Sequence, residues 1–150
     1  VQICGFRNPD TLRYAHDLGM ALQLVTLLRN VRRDLDAGRL YIPEADMQQA
    51  GVSQADLLAH KTTPPIRQLF EMQMARIEDF FASAFQHLPA EDRRRQRSGL
   101  ILAHLYQAQL AEMQDAGFPL LERRIHLTPL RKFWIAWRVA RRPANRKQSP

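Results

Sequence analysis

The sequence predicts an all-α protein. Three observations carry that expectation: apolar residues recur at helical spacing through four long segments, Gly or Pro marks each break between those segments, and the most apolar segment gathers its polar residues on one face. That segment is residues 11–37, TLRYAHDLGMALQLVTLLRNVRRDLDA, in which Gln23 and Thr26 are the only polar side chains between Leu18 and Leu28. Wound at about 100° per residue, it places His16, Gly19, Gln23, Thr26, Asn30 and Asp34 in one stripe. Two apolar flanks would hold the stripe inside a bundle, where polar groups need partners. From spacing alone, these are core polar groups satisfied by neighbouring helices.

The other elements follow in order. Val1 to Phe6 reads as the close of an earlier helix, stopped at Gly5. Asn8, Pro9 and Asp10 start the segment just described, because Asn8 or Asp10 can cap free amides and Pro9 suits a first turn. Gly38 ends it, and residues 39–43 are extended. Residues 44–50 and 53–60 form two short helices separated by Gly51, the second capped by Ser53. Thr62 to Pro65 is a break. From Ile66 to Leu88 a helix carries an apolar face of Phe and Met, which serves either as core or as the wall of an apolar tunnel. Pro89 precedes a helix over residues 90–116, stopped by Gly117. Residues 118–127 connect to a last helix over residues 130–141, started by Thr128 and Pro129. Residues 1–142 thus form one helical domain, and residues 143–150 a basic tail expected to be disordered.

Composition narrows the function classes. A chain of 150 residues can bury roughly two-thirds of its extended surface in one domain. Twenty-two Lys and Arg against fifteen Asp and Glu give a formal charge of +7, which favours an anionic partner: a diphosphate, a nucleic acid or an anionic membrane surface. The arginines at 93, 94, 95 and 97 have no interleaved aromatic platform, so they read as a solvated face and nucleic acid is not expected. Cys4 is the single cysteine, which excludes an intrachain disulfide and a cysteine metal site and suits a reducing cytoplasm. No apolar run is long enough to span a bilayer, although the charge allows peripheral association at the membrane's inner face. The five His are scattered without zinc spacing, and no phosphate loop or repeat occurs. The opening residues lack a secretory signal, and the text reads as a piece of a longer chain.

The words around the polar stripe are more specific. Residues 18–43, LGMALQLVTLLRNVRRDLDAGRLYIP, resemble the second signature of the squalene and phytoene synthase family, the head-to-head prenyltransferases. Gln23, Leu24, Arg29, Asp34, Gly38, Arg39, Tyr41 and Pro43 fall on matching positions. Thr26 stands where the family usually has Asn, Asn30 where it has the first Asp of a metal-binding pair, and Arg33 where an acid is common. The text LTPLRKFWIAWRVARR is similar to the C-terminal segment of bacterial members that make presqualene diphosphate and squalene for hopanoids. The resemblance implies an antiparallel helical bundle of the isoprenoid synthase type around a central cavity, of which this chain is roughly the C-terminal half. It further implies an N-terminal half as partner, carrying the family's other Asp-rich motif.

By the same resemblance, the complete polypeptide is a transferase condensing two allylic diphosphates, farnesyl diphosphate foremost, to presqualene diphosphate, squalene or phytoene in hopanoid or carotenoid biosynthesis. Ionising an allylic diphosphate requires neutralisation of the departing charge by Mg²⁺ and cationic side chains, and the carbocation requires a dry pocket with π faces. The implied roles are metal binding for Asp34 and, more weakly, Asn30; diphosphate binding for Arg29, Arg39 and Arg123; and catalytic contacts near the diphosphates for Tyr41 and Tyr106. Gln23 matches a polar pocket residue, and its reading as a core amide stays open. Mg²⁺ is the implied cofactor, with NADPH added only in a squalene-forming member. Thr26, Asn30 and Arg33 keep a second reading open, a catalytically degenerate member acting as a lipid-binding or assembly module.

Overall fold

The structure, a computed structural model, describes residue 5, residues 7–123 and residues 128–141. Among them are seven helices and no strand: α1 Asp10–Arg29, α2 Val31–Asp36, α3 Glu44–Ala50, α4 Gln54–Leu58, α5 Pro64–Gln86, α6 Arg97–Asp115 and α7 Pro129–Arg141. The all-α expectation therefore holds. The close of an earlier helix at Val1 to Phe6 and the tail at 143–150 lie outside the described residues, apart from Gly5.

Three long helices set the architecture. Ser83 of α5 donates to Asp17 of α1, while Gln73 and Ile77 of α5 share a cleft with Leu24 to Leu28 of α1, so the two helices run antiparallel. Tyr14 lies against Gly99, and Arg29 reaches Gln109, so α6 runs parallel to α1. Phe85 stacks on His104, and Phe70 meets Phe118 just beyond α6, which makes α5 antiparallel to α6 as well. The core between them holds Tyr14, Val25, Ile66, Phe70, Ile77, Phe81 and Met113, all fully or almost fully buried, with buried Met74 beside them. Each such aliphatic or aromatic side chain contributes about 1.5–3 kcal/mol by leaving water.

The face that α1 buries differs from the one its polar stripe suggests. Thr11, Tyr14, Leu18, Ala21, Val25 and Leu28 are buried, whereas His16, Gly19 and Gln23 are exposed, Thr26 and Asn30 are half-buried, and only Asp34 of the stripe is enclosed. α1 is apolar nearly all round, so periodicity did not decide which face docks. The row of small and large apolar residues complementary to α5 does.

Three boundaries also move. The segment over 11–37 kinks at Asn30, where φ is −97° and ψ is 6°. The Asn30 amide is shared between Thr26 O and Leu27 O, yet Asp34 N still bonds Asn30 O at 3.0 Å, so the ladder bends without stopping. α5 starts at Pro64 because both prolines occupy its first turn, where no amide is needed. α6 starts at Arg97 and not at residue 90. The intervening turn is held by Asp92, whose carboxylate accepts from the Arg7 and Asn8 amides and from Thr11 Oγ1, an arrangement a helix beginning earlier would forfeit. Elsewhere the stops fall as expected, at Gly38, Gly51 and Gly117, and Ser53 forms a full capping box with Asp56. The arginines at 93, 94, 95 and 97 are exposed, as a solvated face should be.

Candidate functional site

Gly38 shapes the site. Its φ of +70° is a left-handed conformation open to Gly at little cost. It lets Gly38 N bond Leu35 O at 2.9 Å and Arg39 N bond Asp34 O at 2.7 Å, the paired closure of a Schellman motif. The chain thereby doubles back, and Arg39 Nη2 donates to Asp34 Oδ1 at 3.2 Å. Arg33 Nη2 donates to the same oxygen at 3.4 Å. The Asp34 side chain is almost enclosed, whereas both guanidiniums are about half exposed.

Asp34 and Arg39 stand at a cleft of about 430 Å³, a volume that includes the space open to solvent. Leu24, Leu27, Leu28, Val31, Leu40, Ile42 and Ile77 supply its apolar wall, and Asp34, Arg39, Tyr41 and Gln73 its polar rim. Beneath Gln73 lies a group that reading the sequence did not find. Asp46 of α3 is buried and accepts from Gln73 Nε2 at 2.7 Å and from both terminal nitrogens of Arg76, at 2.7 and 3.0 Å. The Arg76 hydrogen bonds hold the Asp46 carboxyl below the usual carboxylate range, with Gln73 adding to the effect against the cost of burial. Gln73 on the Phe and Met face of α5 was the available signal, since a core amide demands a partner.

The sequence-selected residues divide into groups. Asp34, Arg39 and Tyr41 come together at the cleft. Arg29 does not line it; its Nη1 instead donates to Gln109 Oε1 at 3.3 Å, one helical turn from half-buried Tyr106. Asn30 sits at the kink, one turn before Asp34. Gln23 is exposed on α1, with no core partner among the described residues. Arg123 is exposed and follows Glu122, whose carbonyl accepts from Arg32. Asp36 is half exposed and pairs with Arg32 and His60, consistent with a solvated role.

Both hydrogen bonds on Asp34 fall on Oδ1, so Oδ2 is the oxygen suited to a hard cation. Among the described residues, however, no group of three His, Cys, Asp or Glu side chains is placed to hold a metal. Asp34 with neutral Asn30 and two nearby guanidiniums does not by itself fit Mg²⁺. What the group can do unaided is bind a polyanion: Arg33 and Arg39 carry one charge more than Asp34 neutralises, and their forked donors match phosphate oxygens.

The fold and cleft thus define a helical protein that places cationic donors at the mouth of an apolar wall. Residues 1–131 match the family model for squalene/phytoene synthase, and the chain belongs to the squalene/phytoene synthase family. It is 35% identical over 134 residues to a phytoene synthase of Rhodobacter capsulatus, covering 86% of this chain and 38% of that protein. It is 31% identical over 147 residues to a presqualene diphosphate synthase of Sinorhizobium fredii, covering 93% and 50%. A phytoene synthase of Mycobacterium tuberculosis is 32% identical over 139 residues, covering 91% and 46%. The chain therefore spans half or less of the length of these relatives.

Proposed function

We propose that the complete polypeptide to which this chain belongs is a prenyltransferase that joins two allylic diphosphates head to head, farnesyl diphosphate being the first candidate, to give presqualene diphosphate, squalene or phytoene. The observation that carries the reading is the juxtaposition of Arg39 and Asp34, the latter also paired with Arg33, with an apolar-walled cleft, in a family whose relatives include a phytoene synthase and a presqualene diphosphate synthase. In this reading the leucines of α1 and Ile77 hold the isoprenoid chain and exclude water, while Arg39 orients the diphosphate by forked hydrogen bonds. Tyr41 at the rim contacts the diphosphate. Arg29, Tyr106 and Arg123 serve the second substrate or the closed form, and exposed Gln23 faces the cavity once the rest of the fold covers α1.

Asp34 and, more weakly, Asn30 would hold Mg²⁺ only together with carboxylates from the rest of the complete polypeptide, and the ion would there neutralise the departing diphosphate. NADPH belongs to the reading only if the product is squalene. Peripheral association with a membrane completes it, because the substrates carry long apolar chains. A second reading is favoured by one specific observation: two guanidiniums already occupy Asp34, and Asn30 lacks a charge, so a degenerate member would bind prenyl diphosphates without ionising them.

Mg²⁺-dependent release of diphosphate from farnesyl diphosphate by the complete polypeptide tests the choice, with Asn30→Asp as comparator. Release by the parent is the expected result. Silence in the parent with release after Asn30→Asp would establish the degenerate reading.

A further inference from the structure

The net positive charge of the chain comes from one end. Residues 123–150 hold nine Arg and Lys and no Asp or Glu, whereas residues 1–122 hold thirteen Arg and Lys against fifteen Asp and Glu. α7 lies within that basic end and presents the largest exposed apolar side chains of the described residues. Leu130, Phe133, Trp134 and Trp137 are 82%, 76%, 54% and 52% exposed. At helical spacing these four fall within an arc of about 100°. Ile135, on the other side, is buried, and α7 packs on α6. Arg138 lies over the Trp134 ring at 5.0 Å and Arg141 over the Trp137 ring at 4.2 Å, so guanidiniums border the aromatic strip along its C-terminal half.

We infer that the Leu130–Phe133–Trp134–Trp137 face of α7 is a docking surface for an anionic lipid bilayer, lying in the plane of the membrane. Its two halves meet the two chemistries of that boundary. Indole rings settle where acyl chains meet headgroups, and arginines reach the phosphates. A protein cover would need an apolar surface threaded with carboxylates, whereas an anionic bilayer offers both layers continuously. The helix has 13 residues and is about 20 Å long, too short to cross; no described helix is long and apolar enough to do so. Positioned this way, α7 would hold the protein at the phase in which long-chain isoprenoids dissolve. This names the surface for the membrane association proposed above, but it stands on α7 alone and needs no catalytic turnover.

Flotation of the complete polypeptide with phosphatidylglycerol–phosphatidylcholine vesicles and with pure phosphatidylcholine vesicles tests the surface. Binding to the anionic vesicles, released by high salt, is expected. Trp134→Ser with Trp137→Ser should weaken it at least tenfold, and Arg138→Gln with Arg141→Gln by about fivefold for each charge removed, both with unchanged thermal melting because these side chains are exposed. Trp134 and Trp137 are the only tryptophans of this chain, so the share of the complete polypeptide's emission that is lost in the Trp variant is theirs, and its quenching by brominated phosphatidylglycerol in the parent reports contact. Equal binding to both vesicle types, retention by the Trp variant, or unquenched emission with a lowered melting point in that variant would overturn the assignment. The last pattern would place protein on the face instead.

Discussion

Asp34 and Arg39 are joined twice, once through the backbone, Arg39 N to Asp34 O at 2.7 Å, and once through their side chains, Arg39 Nη2 to Asp34 Oδ1 at 3.2 Å. The first contact exists because Gly38 takes a positive φ, and the second follows from where the first leaves the Arg39 side chain. A methyl group at Gly38 would meet no atom within 4 Å, so only backbone conformation resists it. Gly38→Ala should therefore cost about 1–2 kcal/mol and loosen Arg39. Chemical denaturation and pyrophosphate titration should both register the change; a loss of stability with unaltered binding would separate the closure from the site.

Removing the Asp46 carboxylate leaves Gln73 without its acceptor and Arg76 without its counter-charge. Asp46→Ala should lower unfolding free energy by about 1–3 kcal/mol, readable as a shifted urea midpoint at constant slope. Because Gln73 also lines the cleft, the variant should weaken ligand binding as well. A stability change within error would show that water replaces the partners without cost.

Gly99 leaves room for the Tyr14 hydroxyl. A Cβ at residue 99 would come within 2.6 Å of that oxygen, on a ring that is only 1% exposed. Gly99→Ala should destabilise by about 1–3 kcal/mol through overpacking. Tyr14→Phe removes the colliding atom, so the double variant should be less destabilised than the sum of the singles. Strict additivity would contradict the close approach of α1 and α6.

Asp46 and Asp92 both have depressed pKa values, the first chiefly through Arg76 and the second chiefly through the Thr11 hydroxyl, then the Arg7 and Asn8 amides. A carboxyl whose folded pKa lies below its ordinary value of 3.8 contributes stability that is complete above that value and is lost as pH falls through the folded one. Melting temperature should therefore hold steady on descending to about pH 5 and decline below about pH 4, with a shallower decline in Asp46→Asn. An equal slope in that variant would remove Asp46 from the account.

The helices were legible because their punctuation is local: Pro at first turns, Gly at left-handed stops, Ser53 at its capping box. The docking face of α1 was not, since a helix apolar on most sides carries no periodic sign of which side meets α5. The start of α6 was hidden for a related reason, because Asp92 serves the chain before α1, more than eighty residues away. At the site, Asp34, Arg39 and Tyr41 were found through a continuous text, whereas Asp46, Gln73 and Arg76 come from two helices and meet only in the fold. Gln23 shows the remaining difficulty: it is exposed here together with His16 and Gly19 of its stripe, in a chain that spans half or less of its relatives' length.

The most direct test of the cleft is the affinity of the complete polypeptide for farnesyl thiodiphosphate, a slowly ionising substrate analogue, in the parent, in Arg39→Gln and in Leu24→Trp. Leu24 is half-buried on the cleft wall, so an indole there fills the space with little disturbance of the core. Losing the charged hydrogen bonds of Arg39 should weaken binding about tenfold or more, and Leu24→Trp should weaken it comparably by excluding the isoprenoid chain. Parent affinity retained in both variants would contradict the assignment of this cleft as the substrate site.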